Sequence, residues 1–229
     1  MKNPVIWSGV TTLTVPAQNS WSPWTTIWTP PIPLNGFKLF MVGSGGNIFG
    51  VSDIFIGGGT PSSPATISQG FIGNANMANS YPIRLKVPAN TPIQLRNYQI
   101  GSATGTYTIV CVSLEEGGFS RCQTMGSSTS SYSKSVGTTW TLFGTTLPLP
   151  VKHFGLTMTQ SSNSLLNLSV GIGPSSTSVA PIIENILLGD LAADYIVCSE
   201  EFDNEIPPSQ QIWMQGSNAN ALAGLFLYY

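Results

Sequence analysis

Hydrophobic and polar residues alternate along much of this chain with a period of two, which is typical of half-buried β-strands. In YPIRLKVP, Ile83, Leu85 and Val87 share one face of the predicted strand, and Arg84 and Lys86 share the other. Similar runs are FKLFMV, VSDIFIG, GTYTIVCVSLEE, LNLSVGIG and LAGLFLYY. Turns rich in Gly, Pro and Asn separate these runs. The pattern predicts an all-β fold of the β-sandwich or jelly-roll type.

The segment IQLRN predicts which side chains of one strand face the core. Ile93 and Leu95 should point inward, and Gln94 and Arg96 should point outward.

Helix signals are few. The best candidate is APIIENILLGDLAADY, in which Ile182, Ile186 and Leu187 fall on one helical face. Its counterpart in the first half, ATISQGFIGNANMANSY, is rich in Gly and Asn, which are poor helix formers. At both places we therefore expect an irregular crossover with room for one helical turn.

The chain also matches itself. Short segments of the first half recur in the second half, in the same order and at a nearly constant offset. The matched pairs are Trp24–Thr26 with Trp140–Leu142, Phe37–Leu39 with Phe154–Leu156, Ile54–Gly57 with Val170–Gly173, Val87–Ala89 with Ile206–Pro208, Ile93–Leu95 with Ile212–Met214, and Gly101–Ser102 with Gly216–Ser217. The sequence therefore predicts two tandem, duplicated β-sandwich (jelly-roll-like) domains, residues 1–117 and 118–229, each of ordinary domain size.

Charged residues make up 8% of the chain, against roughly 25% in ordinary soluble domains. The first copy has five basic and three acidic residues, a net charge of +2, and the second has three basic and seven acidic residues, a net charge of −4. Head-to-tail packing between subunits and drift after duplication both explain this difference. No basic stripe indicates a nucleic-acid partner.

No stretch of the sequence indicates insertion into a membrane. The chain has no run of about 20 apolar residues, so we expect no membrane-spanning helix. The opening MKNPVIWSG has no long apolar stretch, and we expect no secretory signal there.

Residues that commonly carry catalysis are scarce. His153 is the only histidine, and neither G-x-S-x-G nor H-E-x-x-H occurs. We expect His153 to be partly buried or at an interface rather than catalytic. The three cysteines, Cys111, Cys122 and Cys198, have no metal-ligand spacing. We therefore predict no enzymatic activity, no catalytic residues, no metal site and no cofactor.

Acidic residues cluster at Glu200, Glu201, Asp203 and Glu205. Clustered carboxylates can bind Ca²⁺, but these lack the spacing of an EF-hand. A solvated acidic loop is the preferred interpretation, and cation binding by Glu200–Glu205 stays open.

Tryptophans crowd the start of the chain, at Trp7, Trp21, Trp24 and Trp28. One interpretation is a glycan site, because sugar rings stack on such side chains. The preferred one is that they pin the N-terminal segment to its own domain or to a neighbour.

Trp213 is aligned with Gln94, which we expect on an outer sheet face. An outward tryptophan in one copy only suggests a contact beyond its domain. The candidate interface residues are therefore Trp7, Trp21, Trp24 and Trp213, in a homo-oligomer with closed symmetry such as a ring or trimer.

Several of these motifs together resemble a β-sandwich module of virion proteins from tailed bacteriophages and phage-like gene transfer agents. In the first copy, W-T-x-I, G-F-x-L, I-G-x-G and P-I-x-L-R lie within Trp24–Ile27, Gly36–Leu39, Asp53–Gly59 and Pro88–Arg96. In the second copy the matching residues are Trp140, Phe154–Leu156, Val170–Gly173, Ile183–Leu187 and Pro207–Met214. These are packing and turn residues, so no functional residue is carried over.

The resemblance implies a virion surface component, such as a head spike, fibre, decoration or tail protein, assembled in the bacterial cytoplasm. Its partners would be copies of itself and other capsid or tail proteins, without enzymatic activity. The alternative is an adhesin that binds host-surface glycans. An adhesin should have a groove lined by aromatic, Asn, Asp or Gln side chains, whereas an assembly protein should have apolar surface that becomes buried in the oligomer.

Overall fold

In the computed structural model of the chain, the described residues contain strands and turns and no helix. They are residues 5–44, 50–59, 61, 67–73, 79–99, 102, 104–126, 134–160, 166–188, 196–217 and 221–229. The predicted all-β fold is confirmed. No helix capable of crossing a bilayer occurs among these residues.

The chain forms two compact units, Met1–Cys122 and Gln123–Tyr229. The first unit contains β1 (Trp7–Thr14), β2 (Thr25–Trp28), β3 (Phe37–Ser44), β4 (Gly50–Ile56), β5 (Ile67–Gly73), β6 (Asn79–Ile83), β7 (Ile93–Gln99) and β8 (Thr106–Ser113). These strands form two antiparallel sheets with the orders β1-β8-β3-β6 and β2-β7-β4-β5.

The second unit also has two sheets. It contains β9 (Cys122–Met125), β10 (Lys134–Val136), β11 (Thr141–Thr145), β12 (His153–Gln160), β13 (Leu166–Ile172), β14 (Ala180–Leu188), β15 (Ile196–Phe202), β16 (Gln211–Gly216) and β17 (Ala221–Tyr228). One sheet has the order β10-β17-β12-β15, with β9 also paired to β17, and the other has the order β11-β16-β13-β14.

Both units therefore have the same strand order, that of an eight-stranded jelly roll. In the second unit β9 and β10 together take the place of β1. The pairing register agrees as well. Thr25 of β2 pairs with Leu95 of β7, and Thr141 of β11 pairs with Met214 of β16. In both strand pairs the register then shifts, after Thr26 in the first unit and after Leu142 in the second. Descent of the two units from one duplicated domain stays a prediction.

The boundary between the units lies after Cys122 rather than after Gly117. The intervening residues remain hydrogen-bonded to the first unit, because Gly118 N donates to Asn35 O at 2.6 Å and Phe119 N donates to Arg84 O at 3.0 Å.

The expected irregular crossovers are wrong where the structure describes these segments, because residues 180–188 form β14, residues 67–73 form β5 and residues 79–81 belong to β6. Residues 65–66, 74–78 and 189–195 of the two segments lie outside the described residues. In β14, Ile186 pairs with Leu168 and Ile183 pairs with Val170, so two residues of β14 oppose one residue of β13. Asn185, one of those two, has a left-handed φ of 54°. This bulge lets Ile183 and Ile186 both pack against the core, although they are three residues apart. A spacing of three residues also occurs on one face of a helix, although the face predicted from the sequence was Ile182, Ile186 and Leu187.

Each core lies between the two sheets of its unit. In the first unit, Leu39 and Ile109 from one sheet and Ile93 and Leu95 from the other are fully buried, as the alternation predicts for β7. Gln94 lies on the outer face of its sheet, as predicted, and is nevertheless buried, for a reason described below.

Cys111 lies in the first core, where burial raises the pKa of its thiol from 9.0 to about 12 despite a hydrogen bond with Ser8. At pH 8 the thiol therefore stays protonated, and a protonated, buried thiol is a poor nucleophile. We expect Cys111 to resist alkylation by iodoacetamide in the native protein while half-buried Cys122 is modified. Peptide mass spectrometry assigns the sites, and urea-unfolded protein is the control in which both react. Equal labelling rates in the native protein would contradict this expectation.

Candidate functional site

The outer face of the β2-β7-β4-β5 sheet carries an ion pair between directly opposite residues, Asp53 on β4 and Arg96 on β7. Arg96 donates to Asp53 Oδ2 from Nε at 2.9 Å and from Nη2 at 2.7 Å. The Asp53 side chain is only 4% exposed, and that of Arg96 is 32% exposed. Arg96 therefore supplies two of the interactions that water would otherwise provide to the carboxylate.

Two tryptophans cover this ion pair. The Arg96 guanidinium carbon lies 4.2 Å from the ring centre of Trp21 and 4.7 Å from that of Trp24, within the range of cation–π interactions. Trp21 also meets Tyr98 edge to face at 5.2 Å, and Trp24 meets Phe55 at 6.4 Å. These contacts support the interpretation that Trp21 and Trp24 pin the N-terminal segment to its own domain. Their role at a subunit interface stays a prediction.

The equivalent position in the second unit is open. Ser169 on β13 is directly opposite Gln215 on β16, at the register of Asp53 and Arg96, and Trp140 corresponds to Trp24. Ser and Gln are smaller than Asp and Arg, and a pocket of about 270 Å³ lies at this position. We call it the Trp140 pocket; its lining includes Trp140, Asn167, Ser169, Glu184, Asn185 and Gln215.

Hydrogen bonds to the backbone fix the walls of the Trp140 pocket. Ser169 Oγ accepts from Asn185 N at 3.1 Å, which holds the bulge of β14 in place. Ser217 Oγ accepts from Asn167 N at 2.9 Å, and Gln215 Nε2 donates to Thr138 O at 2.7 Å. Within the described residues, no hydrogen bond or ion pair engages the side chains of Asn167, Glu184 or Asn185. Their polar groups are therefore available to a ligand.

The side chains of Trp213 and Gln94 make equivalent hydrogen bonds, each to a glycine turn of its own unit. Gln94 Nε2 donates to Gly57 O at 3.2 Å and to Gly59 O at 3.0 Å, in the glycine turn that follows β4. Trp213 Nε1 donates to Gly173 O at 2.7 Å, in the matching turn after β13. These bonds account for the burial of Gln94 and give the indole N–H of Trp213 a partner within its own unit. A subunit contact of Trp213 stays a prediction.

Trp7, by contrast, is 65% exposed. It lies on β1 with Val10, which is 72% exposed, on the outer face of the β1-β8-β3-β6 sheet. Val10 and Phe40 both oppose Val110 across the sheet, and the exposed Val42 lies two residues beyond Phe40 on β3. We call Trp7, Val10, Phe40, Val42 and Val110 the apolar strip.

His153 is 4% exposed and lies between two carboxylates of the acidic cluster Glu200–Glu205. Its Nδ1 is 2.7 Å from Asp203 Oδ1, and its Nε2 is 3.2 Å from Glu201 Oε1. Glu201 belongs to β15, so part of the expected acidic loop is a strand. In the portion of the chain that the structure describes, no group of three or more His, Cys, Asp or Glu residues is placed to hold a metal ion.

Sequence reasoning missed the Trp140 pocket. The signal was present, because the matched segments align Trp24 with Trp140 while the charged pair Asp53 and Arg96 is replaced by Ser169 and Gln215. Recognising it requires knowing that the two members of each pair face each other across neighbouring strands.

No family model and no curated protein matches the chain. A solved structure of Bacillus subtilis oxalate decarboxylase spans 100% of this chain and 77% of its own, at 6% sequence identity and a TM-score of 0.17. A similarity this weak carries neither fold nor chemistry over to this chain.

Proposed function

We propose that this chain is a non-enzymatic structural protein of a phage virion surface that assembles through copies of itself. The observation that carries the proposal is the apolar strip beside the edge strand β1. The resemblance to phage virion modules and the pair of jelly rolls also support it, since viral capsid proteins commonly use this architecture.

Strand β1 has no charged residue or proline to protect its edge, although it does have a bulge between Trp7 and Val10. Soluble proteins place charged residues or proline on edge strands to prevent pairing with another chain. The sequence of β1, WSGVTTLT, has neither, and β8 is its only partner among the described strands. Two of its apolar side chains, Trp7 and Val10, are also largely exposed. We infer that a second copy of this chain covers the strip.

Val10→Lys should weaken the assembly, because it places a charge on the most exposed residue of the strip without removing a buried side chain. We expect sedimentation velocity at micromolar concentration to show a closed oligomer for the wild type and mainly smaller species for the variant. Leu149→Lys is the matched control, since Leu149 is also an exposed apolar residue, at 43%, but lies in the other unit. It should leave the oligomer intact.

A monomeric wild type, or equal effects of the two variants, would contradict assembly through this strip. The virion assignment has a separate test. Mass spectrometry and cryo-electron microscopy of phage particles released by the encoding strain should find the chain at stoichiometric, symmetry-related surface positions. Its absence from purified particles would exclude the assignment.

A second candidate function is the binding of host-surface glycans. The Trp140 pocket favours it, because it combines an aromatic side chain with Asn and Gln side chains, as expected for an adhesin. Both functions are compatible, since the pocket and the apolar strip lie on different units.

A further inference from the structure

We propose that the Trp140 pocket binds a single ring of a neutral saccharide, and that the first unit has no equivalent site. This inference rests on the second candidate function, glycan binding, and names its site and ligand class. It does not depend on self-assembly through the apolar strip.

The size of the Trp140 pocket limits the ligand. Its volume of about 270 Å³ is just below the roughly 300–1,000 Å³ of most small-molecule sites. The pocket is also partly open to solvent. It therefore suits one ring of a longer chain, with the remaining rings outside, better than an isolated large ligand.

The lining matches the two kinds of surface that a sugar ring presents. One face of a pyranose exposes C–H groups, which pack on the apolar face of an indole such as Trp140. The ring edge carries hydroxyls, each of which both donates and accepts. The amides of Asn167 and Asn185 also offer both functions, and the Glu184 carboxylate accepts. A purely apolar ligand would leave these groups without partners.

The charge of the pocket lining favours neutral over anionic sugars. Among the described residues that line the Trp140 pocket there is no Lys or Arg, and Glu184 is the one charged residue. A sialic acid, uronic acid or sugar phosphate would bring a second negative charge next to that carboxylate with no cation to offset it. The pocket should therefore discriminate against acidic saccharides.

The first unit provides an internal comparison. At the equivalent position, Arg96 and Trp21 occupy the space beside Trp24, and the Asp53 carboxylate is already hydrogen-bonded. The same sheet face thus presents a filled position in one unit and an open one in the other. We expect one saccharide site per chain.

The test uses the full-length protein and saturation-transfer NMR with methyl glycosides of glucose, galactose, mannose, N-acetylglucosamine and N-acetylgalactosamine, with methyl sialoside as the acidic probe. At least one neutral glycoside should show transfer, and the sialoside should show none. The affinity of the best probe is then measured by titration for the wild type and the variants.

The most direct test of the pocket is the double variant Ser169→Asp with Gln215→Arg, which introduces the first unit's ion pair into the second unit. It should lower affinity at least tenfold by filling the pocket. Trp213→Gln is the matched control, because it also installs a first-unit residue on this sheet but outside the pocket lining, and it should leave affinity unchanged. If the double variant does not fold by circular dichroism, Asn167→Ala replaces it, with an expected loss of about fivefold or more.

Three results would overturn the proposal: no transfer to any neutral glycoside, a preference for the sialoside, or full affinity in the folded pocket variant. The experiment also distinguishes two kinds of failure: that the protein binds no glycan at all, and that it binds a glycan at a place other than this pocket. In the first case the wild type binds no glycoside, and in the second it binds one with an affinity that the pocket variant does not change.

Discussion

Replacing Arg96 with Gln is expected to destabilise the first unit by roughly 2–3 kcal/mol, somewhat less than the ~3–5 kcal/mol for a fully buried ion pair. The variant leaves the Asp53 carboxylate in place with its side chain 4% exposed, but removes the guanidinium that bonds to it twice. Partial exposure of Arg96, at 32%, allows water to replace part of the lost interaction. The cation–π contacts with Trp21 and Trp24 are lost as well.

The double variant Asp53→Ser with Arg96→Gln should be more stable than the Arg96→Gln single variant. It reproduces the pair Ser169 and Gln215, which the second unit accommodates at the same register, and it removes the buried carboxylate together with the guanidinium. Urea unfolding followed by tryptophan fluorescence measures the difference, since Trp21 and Trp24 lie directly on the site. Equal destabilisation by the single and double variants would show that the ring contacts, and not the charge pair, stabilise this position.

Much of the fold was predictable from the sequence because the information was local. The alternation in β6 and β7 identifies their inward residues, since successive side chains of a strand point to opposite faces. The matched segments align strands that occupy the same place in the two sheet orders. Both signals depend only on short segments and on their order.

The failures arose where a local pattern has two structural explanations. The sequence indicated a helix face of Ile182, Ile186 and Leu187, whereas the bulge at Asn185 lets Ile183 and Ile186 of a strand pack against the core. Nothing in the segment itself distinguishes a bulged strand from a helix. The direction of a side chain also does not determine its burial. Gln94 and Trp213 point outward, but each bonds to a turn carbonyl that only the fold brings near.

The candidate site depends on pairs that are distant in sequence. Asp53 meets Arg96, and Ser169 meets Gln215, only because β4 pairs with β7 and β13 with β16. The tryptophans could be identified from the sequence, but the surfaces that they cover could not. It could not reveal that Trp24 lies over an ion pair while Trp140 borders an open pocket.

The glycine turns that follow β4 and β13 give the last prediction, the substitution Gly173→Ala. A Cβ on Gly173 would lie 2.1 Å from Ser178 O and 2.9 Å from Val179 Cα. Both are backbone atoms of the turn into β14, so no side-chain rotation can relieve the clash. The turn must open, which also disturbs the 2.7 Å hydrogen bond from Trp213 Nε1 to Gly173 O. We expect a loss of about 3 kcal/mol or more, at the upper end of overpacking effects.

The matched control is Gly58→Ala in the corresponding turn of the first unit. A Cβ on Gly58 would meet nothing within 4 Å, so its effect should stay within about 0.5 kcal/mol, as for ordinary surface substitutions. Thermal unfolding by circular dichroism compares the two variants with the wild type. Gly173→Ala should lower the melting temperature clearly and Gly58→Ala should not, because the two substitutions add the same methyl group and differ in the backbone that it meets. Equal melting temperatures would mean that the turn after β13 relaxes at little cost, and that its glycine is not required by the close approach of Ser178.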